Sequence, residues 1–143
     1  MAVALEDLGQ AVKRLQYRHH RTLDARLVPL GITLVQWDAL RAISRYPNVS
    51  AHRLAQLTFQ TDQSFGALAG RLEARGWIER LSGPGKAIRH RLTPSGEALL
   101  HEGHTVFNEV ISQSFSPLSP TERETLYDLL TRLLNGSGEP LGE

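Results

Sequence analysis

The side chains with the most obvious chemistry are six histidines, and two of them, His101 and His104, stand in the segment HEGH. That three-residue step puts both rings on roughly one helical face, and His19 or His20 would have to complete a metal site across a dimer. The pattern is not the HExxH of a zinc protease, and its spacing is that of an ordinary surface helix, so no metal is assigned. The chain has no cysteine, which excludes disulfides, thiolate zinc sites, cysteine nucleophiles and peroxide-sensing thiols together. No serine sits in a nucleophile elbow, no glycine-rich phosphate loop is present, and no acid pair has a reason for catalytic placement. Neither a catalytic residue nor a cofactor is expected.

The remaining chemistry is electrostatic. The 143 residues carry a formal charge of only +1, but it is unevenly divided. Nine basic residues (Arg41, Arg45, Arg53, Arg71, Arg75, Arg80, Lys86, Arg89, Arg91) face three acids (Asp62, Glu73, Glu79) in the middle of the chain, a surplus of +6. The flanks hold seven basic and twelve acidic residues, −5. Such a division predicts that the middle meets a polyanion, although a basic run also serves simply to solvate one face of a module.

The elements that would position these charges follow from periodicity. Leu5, Leu8, Val12, Leu15, Leu23, Leu27 and Leu30 mark a long amphipathic helix that should stop around Pro29 to Gly31. Thr33 and Gln36 form a capping-box pattern ahead of Leu34, Trp37, Leu40 and Ile43, and that second helix should end near Tyr46, before Pro47. Ser50 caps a short third helix through Leu54 and Leu57; Thr61 or Asp62 caps a fourth, with Phe65, Leu68, Ala69 and Leu72 as its stripe and Gly76 as its stop. Two short capped helices in tandem form a helix-turn-helix candidate. Trp77, Ile78 and Leu81 then read as one strand and Ile88, His90 and Leu92 as another, with Arg89 and Arg91 outward and SGPGK as the turn. Thr93 and Pro94 open a fifth helix that Pro117 ends, and Ser119, Pro120 and Glu122 open a sixth, closed by Gly136.

Length and composition, 41% hydrophobic and 22% charged, are those of a single ordinary globular domain. No apolar run approaches the ~20 residues of a membrane span. The start MAVALEDLGQ has acids where a secretory signal is positive, so a cytoplasmic location without membrane contact is expected.

The order of four helices, a hairpin and two helices resembles the MarR family of bacterial regulators. Four segments carry the resemblance in order and spacing: GITLVQWDALRAI at 31–43, SAHRLAQLT at 50–58, RLEARGWIER at 71–80 and HRLTPSGEALL at 90–100. It implies a mainly α winged helix-turn-helix: residues 33–93 as the DNA-binding lobe, 1–32 and 94–135 as dimerisation helices, and 136–143 as a flexible tail. It also implies a homodimeric repressor on duplex DNA that responds to a small anionic or aromatic effector. The acidic, leucine-rich terminal helices agree, since they carry more apolar face than one small domain buries. A twofold dimer would set two recognition helices about 34 Å apart on a palindromic operator.

With Phe65, Leu68 and Leu72 inward, the fourth helix turns Gln63, Ala67, Gly70 and Ala74 outward, with Ser64 and Arg71 at the edge. Gln63, Ser64 and Thr61 are the base-edge candidates, and Gly66, Ala67 and Gly70 either lie in the groove or pack against another helix. The family often has an arginine where Ala67 stands. Its wing usually has an aspartate and two arginines where this chain has Pro84, Gly85 and Lys86. Lys86 is thus the wing-tip contact, Arg89 and Arg91 the phosphate partners, and His52 and Arg53 further backbone contacts at the start of the third helix. Tyr17, His19, His20, Trp37 and Arg41 lie on segments that would line an effector crevice, where packing is the competing role for Trp37 and Tyr17 and solvation for the histidines. Two other readings remain, a partner-binding module without DNA affinity and a metal-sensing one. Lys86→Ala should weaken binding to all duplexes equally and lower the slope of log affinity against log salt by about 1, whereas Gln63→Ala should change base preference. Unchanged affinity and slope for Lys86→Ala would remove the wing from the interface.

Overall fold

The structure, a computed structural model, describes residues 2–82, 85 and 87–136. The wing-tip Lys86 and Pro84, and the tail beyond Gly136, lie outside the described residues. The elements run α1 (Leu5–Leu27), a single 3-10 turn (Val28–Leu30), α2 (Leu34–Arg45), α3 (Ala51–Leu57), α4 (Asp62–Ala74), β1 (Ile78–Leu81), β2 (Arg89–Leu92), α5 (Pro94–Ser114) and α6 (Pro120–Gly136).

Local signals end most of these elements. Gly31 at φ 75° stops the 3-10 turn. At α2, the Thr33 hydroxyl accepts the Gln36 amide while the Gln36 side chain accepts the Thr33 amide, satisfying two orphan donors reciprocally. Ser50, Thr61 and Thr93 each accept the amide three residues on, and Ser119 and Glu122 form a second reciprocal box. Helix α4 ends in a Schellman motif: the Gly76 amide donates to Glu73 at 2.9 Å and the Trp77 amide to Leu72 at 3.1 Å, with Gly76 at φ 77°.

That motif corrects the expected strand boundary. Trp77 is not the first strand residue, because its amide is spent closing α4; β1 begins at Ile78. Ile88 likewise precedes β2. The strands pair antiparallel, with Ile78 opposite Leu92 and Glu79 opposite Arg91. Helix α5 stops at Ser114, three residues before Pro117, with Phe115 as its C-cap.

The core gathers Leu23 and Leu27 of α1, Trp37, Leu40 and Ile43 of α2, Leu54 of α3, Phe65, Leu68 and Leu72 of α4, and Ile78 and Leu92 of the hairpin. Leu99, Leu100 and Val110 of α5 complete it. Trp37, only 1% exposed, joins the lobe to α5. Its indole N–H donates to the Leu100 carbonyl at 3.2 Å, Phe107 stacks on it at 5.1 Å, and His104 meets it edge-on. A Cβ at Gly103 would collide with that indole, so glycine there sets how closely α2 and α5 approach.

The remaining apolar surface is unburied. No described residue of α6 is buried; Leu133 is 68% exposed, and Leu5 at the far end of α1 is 84% exposed.

Gly103→Ala should lower stability by about 1–3 kcal/mol, the usual result of overpacking a core, although alanine is the better helix former. Chemical denaturation checks this, and a variant as stable as the parent would mean the α2–α5 contact is loose.

Candidate nucleic-acid interface

Helices α3 and α4 meet near their N-termini. The His52 ring nitrogen Nδ1 lies 2.8 and 3.1 Å from the two carboxylate oxygens of Asp62, the first residue of α4, and both side chains are largely exposed. Along α4 the two faces separate cleanly. Phe65, Leu68, Ala69 and Leu72 are buried, while Gln63, Ser64, Gly66, Ala67, Arg71 and Ala74 are exposed. A Cβ at Gly66 would meet nothing within 4 Å, and one at Gly70 would meet only the Arg80 guanidinium at 3.2 Å. Among the described residues, then, no helix covers this face.

The other assigned residues are placed as follows. The Thr61 hydroxyl is the α4 cap, accepting the Ser64 amide at 3.0 Å and keeping its own proton to donate. Arg53 is half-buried, with Nη1 donating to Gln56 Oε1 at 3.3 Å. Arg71 is exposed with no ion-pair partner among the described residues. On the hairpin, Arg89 is half-buried and Arg91 is exposed, sharing its outward face with Glu79, to which it donates at 2.6 Å. Each of the three acids of the basic middle has a partner: Asp62 has His52, Glu73 has Arg80 at 3.4 Å, and Glu79 has Arg91. Exposed pairs of this kind are worth about 0–1 kcal/mol each, so a phosphate can take over the arginine at little cost.

Behind the surface, His90 of β2 is 5% exposed and edge-on to Phe65 of α4 at 5.6 Å. Burial and then the Arg80 charge push its pKa down against Glu73, which keeps the ring neutral where it joins hairpin to helix. Sequence reasoning placed His90 inward but assigned it no role; the sign of it was the inward step between two arginines.

The residues assigned to an effector crevice do not all converge. Trp37 is in the core, whereas Tyr17 is 59% exposed, with the Arg21 guanidinium 5.8 Å over its ring. His19 bonds Ser114 at 2.5 Å and meets Phe115 edge-on, tying α1 to the end of α5. His20 and Arg41 do come together, around Asp38 of α2, which sequence reasoning missed. Asp38 is exposed as a residue, but the packing around its carboxyl strips part of its hydration and raises its pKa to about 6, against the opposing pull of Arg41 and then His20. The available signal was the single acid of α2, beside Trp37 and one turn before Arg41. A groove of about 420 Å³ lined by His20, Arg21, Asp24, Val28, Ile32 and Thr33 lies alongside. Crowding, Arg41 and His101 push the His104 pKa down, and among the described residues no three His, Asp or Glu side chains converge to hold a metal.

The pattern of the MarR family matches residues 30–87, from the end of the 3-10 turn to the hairpin. The multiple antibiotic resistance protein MarR of Escherichia coli is 26% identical over 130 residues, covering 89% of this chain and 90% of that protein. A mutant of it solved with operator DNA superposes with a TM-score of 0.81 at 25% identity, over 90% of this chain and 94% of that one. A probable transcriptional regulator from Pseudomonas aeruginosa is 31% identical, with a TM-score of 0.77 over 91% and 99% of the two chains. The Mycobacterium tuberculosis MarR family protein Rv2887, solved with salicylic acid, is 26% identical, with a TM-score of 0.73 over 88% and 95%. With this likeness spanning both the helix pair that meets at His52 and Asp62 and the terminal helices that frame it, the chain belongs to the MarR family.

Proposed function

We propose that this protein is a homodimeric transcriptional regulator, a repressor that occupies duplex DNA through α4 and the hairpin and is released by a small aromatic or anionic ligand. One observation carries the reading: α4 has a fully buried stripe and, opposite it, a face of small and hydrogen-bonding residues that no other part of the described chain covers. A helix with such a face fits a major groove, where the Gln63 and Ser64 side chains reach base edges and the small Gly66 and Ala67 permit close approach. Arg71, Lys86, Arg89 and Arg91 then meet phosphates, with His52 and Arg53 alongside. Regulation of this kind is a binding task, in keeping with a chain whose charge rather than its nucleophiles is organised.

In this reading residues 33–93 form the DNA-binding lobe, and 1–32 and 94–135 pair two copies. Pairing would cover the exposed leucines of α1 and α6 and set two α4 helices about one DNA turn apart, ~34 Å. The effector would sit where α1 meets α2. Arg41 supplies positive charge there and His20 a hydrogen-bonding ring, the Mycobacterium tuberculosis relative is solved with salicylic acid, an aromatic carboxylate, and a carboxylate ligand would pair with the Arg41 guanidinium.

Titration of the dimer with duplex from its own upstream region and with random duplex, over a range of salt, tests this reading. Tighter binding of the former, with affinity falling steeply as salt rises, is the expected result. A monomer, or binding indifferent to ionic strength, would sink it. Gly66→Ala should raise stability by about 1 kcal/mol through helix propensity yet weaken operator binding, because the methyl group enters the groove. A variant that is stabilised and binds as before would place DNA elsewhere.

Asp38 sets a pH dependence. Its folded pKa of about 6 lies above the ordinary carboxylate value of 3.8, so it contributes stability that is fully present below the lower value and lost as pH rises through the upper one. Asp38→Asn should therefore be more stable than the parent above pH 6, with the difference vanishing toward pH 4. Parallel melting curves across that range would show that the carboxylate is freely hydrated.

A further inference from the structure

The pairing of His52 with Asp62 is unexpected for a phosphate-binding surface, since it places a carboxylate at the leading end of the helix meant for the groove. As the first residue of α4, Asp62 has two-thirds of its side chain exposed, and one His52 ring nitrogen spans both oxygens, at 2.8 and 3.1 Å. An acid at a helix N-terminus is favourable in itself. That does not explain the histidine reaching across from α3 to fix the direction of the carboxylate. A ring N–H held against the carboxylate fixes its direction, and a single N–H leaves most of the acceptor positions of the carboxylate open.

We infer that Asp62, oriented by His52, selects a cytosine in each half-site by accepting a hydrogen bond from its exocyclic amino group. The inference rests on the DNA-binding reading above. In the major groove a carboxylate is repelled by the acceptors of guanine and thymine. Of the two bases with amino donors, adenine places its N7 acceptor beside the amino group, whereas cytosine has none there. The N-terminal residues of a recognition helix are the ones that reach base edges, and the outward side chains that follow Asp62, Gln63 and Ser64, each donate as well as accept. Asp62 is the only acceptor-only group among the first three residues of α4. It contributes discrimination at the expense of affinity, which compensates for the missing arginine at Ala67. His52 is a positioning residue.

Selection of bound duplexes from a random pool, run with the dimeric parent, Asp62→Ala, Asp62→Asn and His52→Ala, tests this. The parent should favour cytosine about tenfold at one position of each half-site. Asp62→Ala should lose that preference alone and hold random duplex severalfold more tightly, and Asp62→Asn should shift the choice to adenine, which an amide reads through N6 and N7. His52→Ala should blunt the preference with its melting temperature unchanged. An Asp62→Ala variant that selects the same sequences as the parent, or loses preference evenly at every position, overturns the assignment while leaving DNA binding intact. A parent that binds no duplex even at low salt overturns both.

Discussion

The indole of Trp37 is where the two halves of this small chain are joined, and the rest of the architecture follows from that joint. Its ring is packed by Phe107 and His104, and its N–H is paired with the Leu100 carbonyl. Because a buried donor left without an acceptor is costly, the ring has one favourable seat, and α5 must present both the carbonyl and a residue without a side chain opposite it. Leu100 and Gly103 meet those two demands. The orientation of α2 on α5 is thereby set, and α3, α4 and the hairpin are built outward from α2. Arg75 braces the lobe a second time, its guanidinium 4.3 Å over Trp77 and donating to the Gly31 carbonyl at 3.2 Å.

Rigidity at the joint accounts for the division of surfaces. The core consumes one stripe of each of α2, α3 and α4, leaving the opposite face of α4 bare. The terminal helices are treated differently. The last two turns of α1 reach the core through Leu23 and Leu27, whereas its earlier leucines and the whole of α6 do not. In the proposed reading, the apolar area left in water at both ends of the chain, with acids around it, is the surface that a second copy would complete.

Electrostatically the lobe is less basic than its residue count implies. Two of its nine basic residues, Arg80 and Arg91, are engaged by Glu73 and Glu79, Asp62 is held by His52, and Arg71, on the exposed side of α4, stays unpaired among the described residues. In the proposed reading, phosphate binding would draw on pairs that exchange partners readily, while α4 would rely on short polar side chains. Such an interface leans more on shape and on a few directed contacts than on bulk attraction.

Helix boundaries were legible from residue types because caps are local chemistry. Thr33 with Gln36, Ser119 with Glu122, Ser50, Thr61 and Thr93 each satisfy an amide within three residues, so no distant contact is needed to place them. The buried stripe of α4 was legible for the same reason, since helical geometry alone puts Phe65, Leu68 and Leu72 in line. Partnerships between elements were not. Nothing local to Trp77 shows that its amide closes the preceding helix rather than opening a strand. Residue type does not show that His52 binds Asp62, that Arg91 is paired across the hairpin with Glu79, or that His19 of α1 bonds Ser114 at the end of α5. Such pairings join residues that are distant along the chain, through side chains whose direction depends on how whole helices are seated, and that seating is decided by the core.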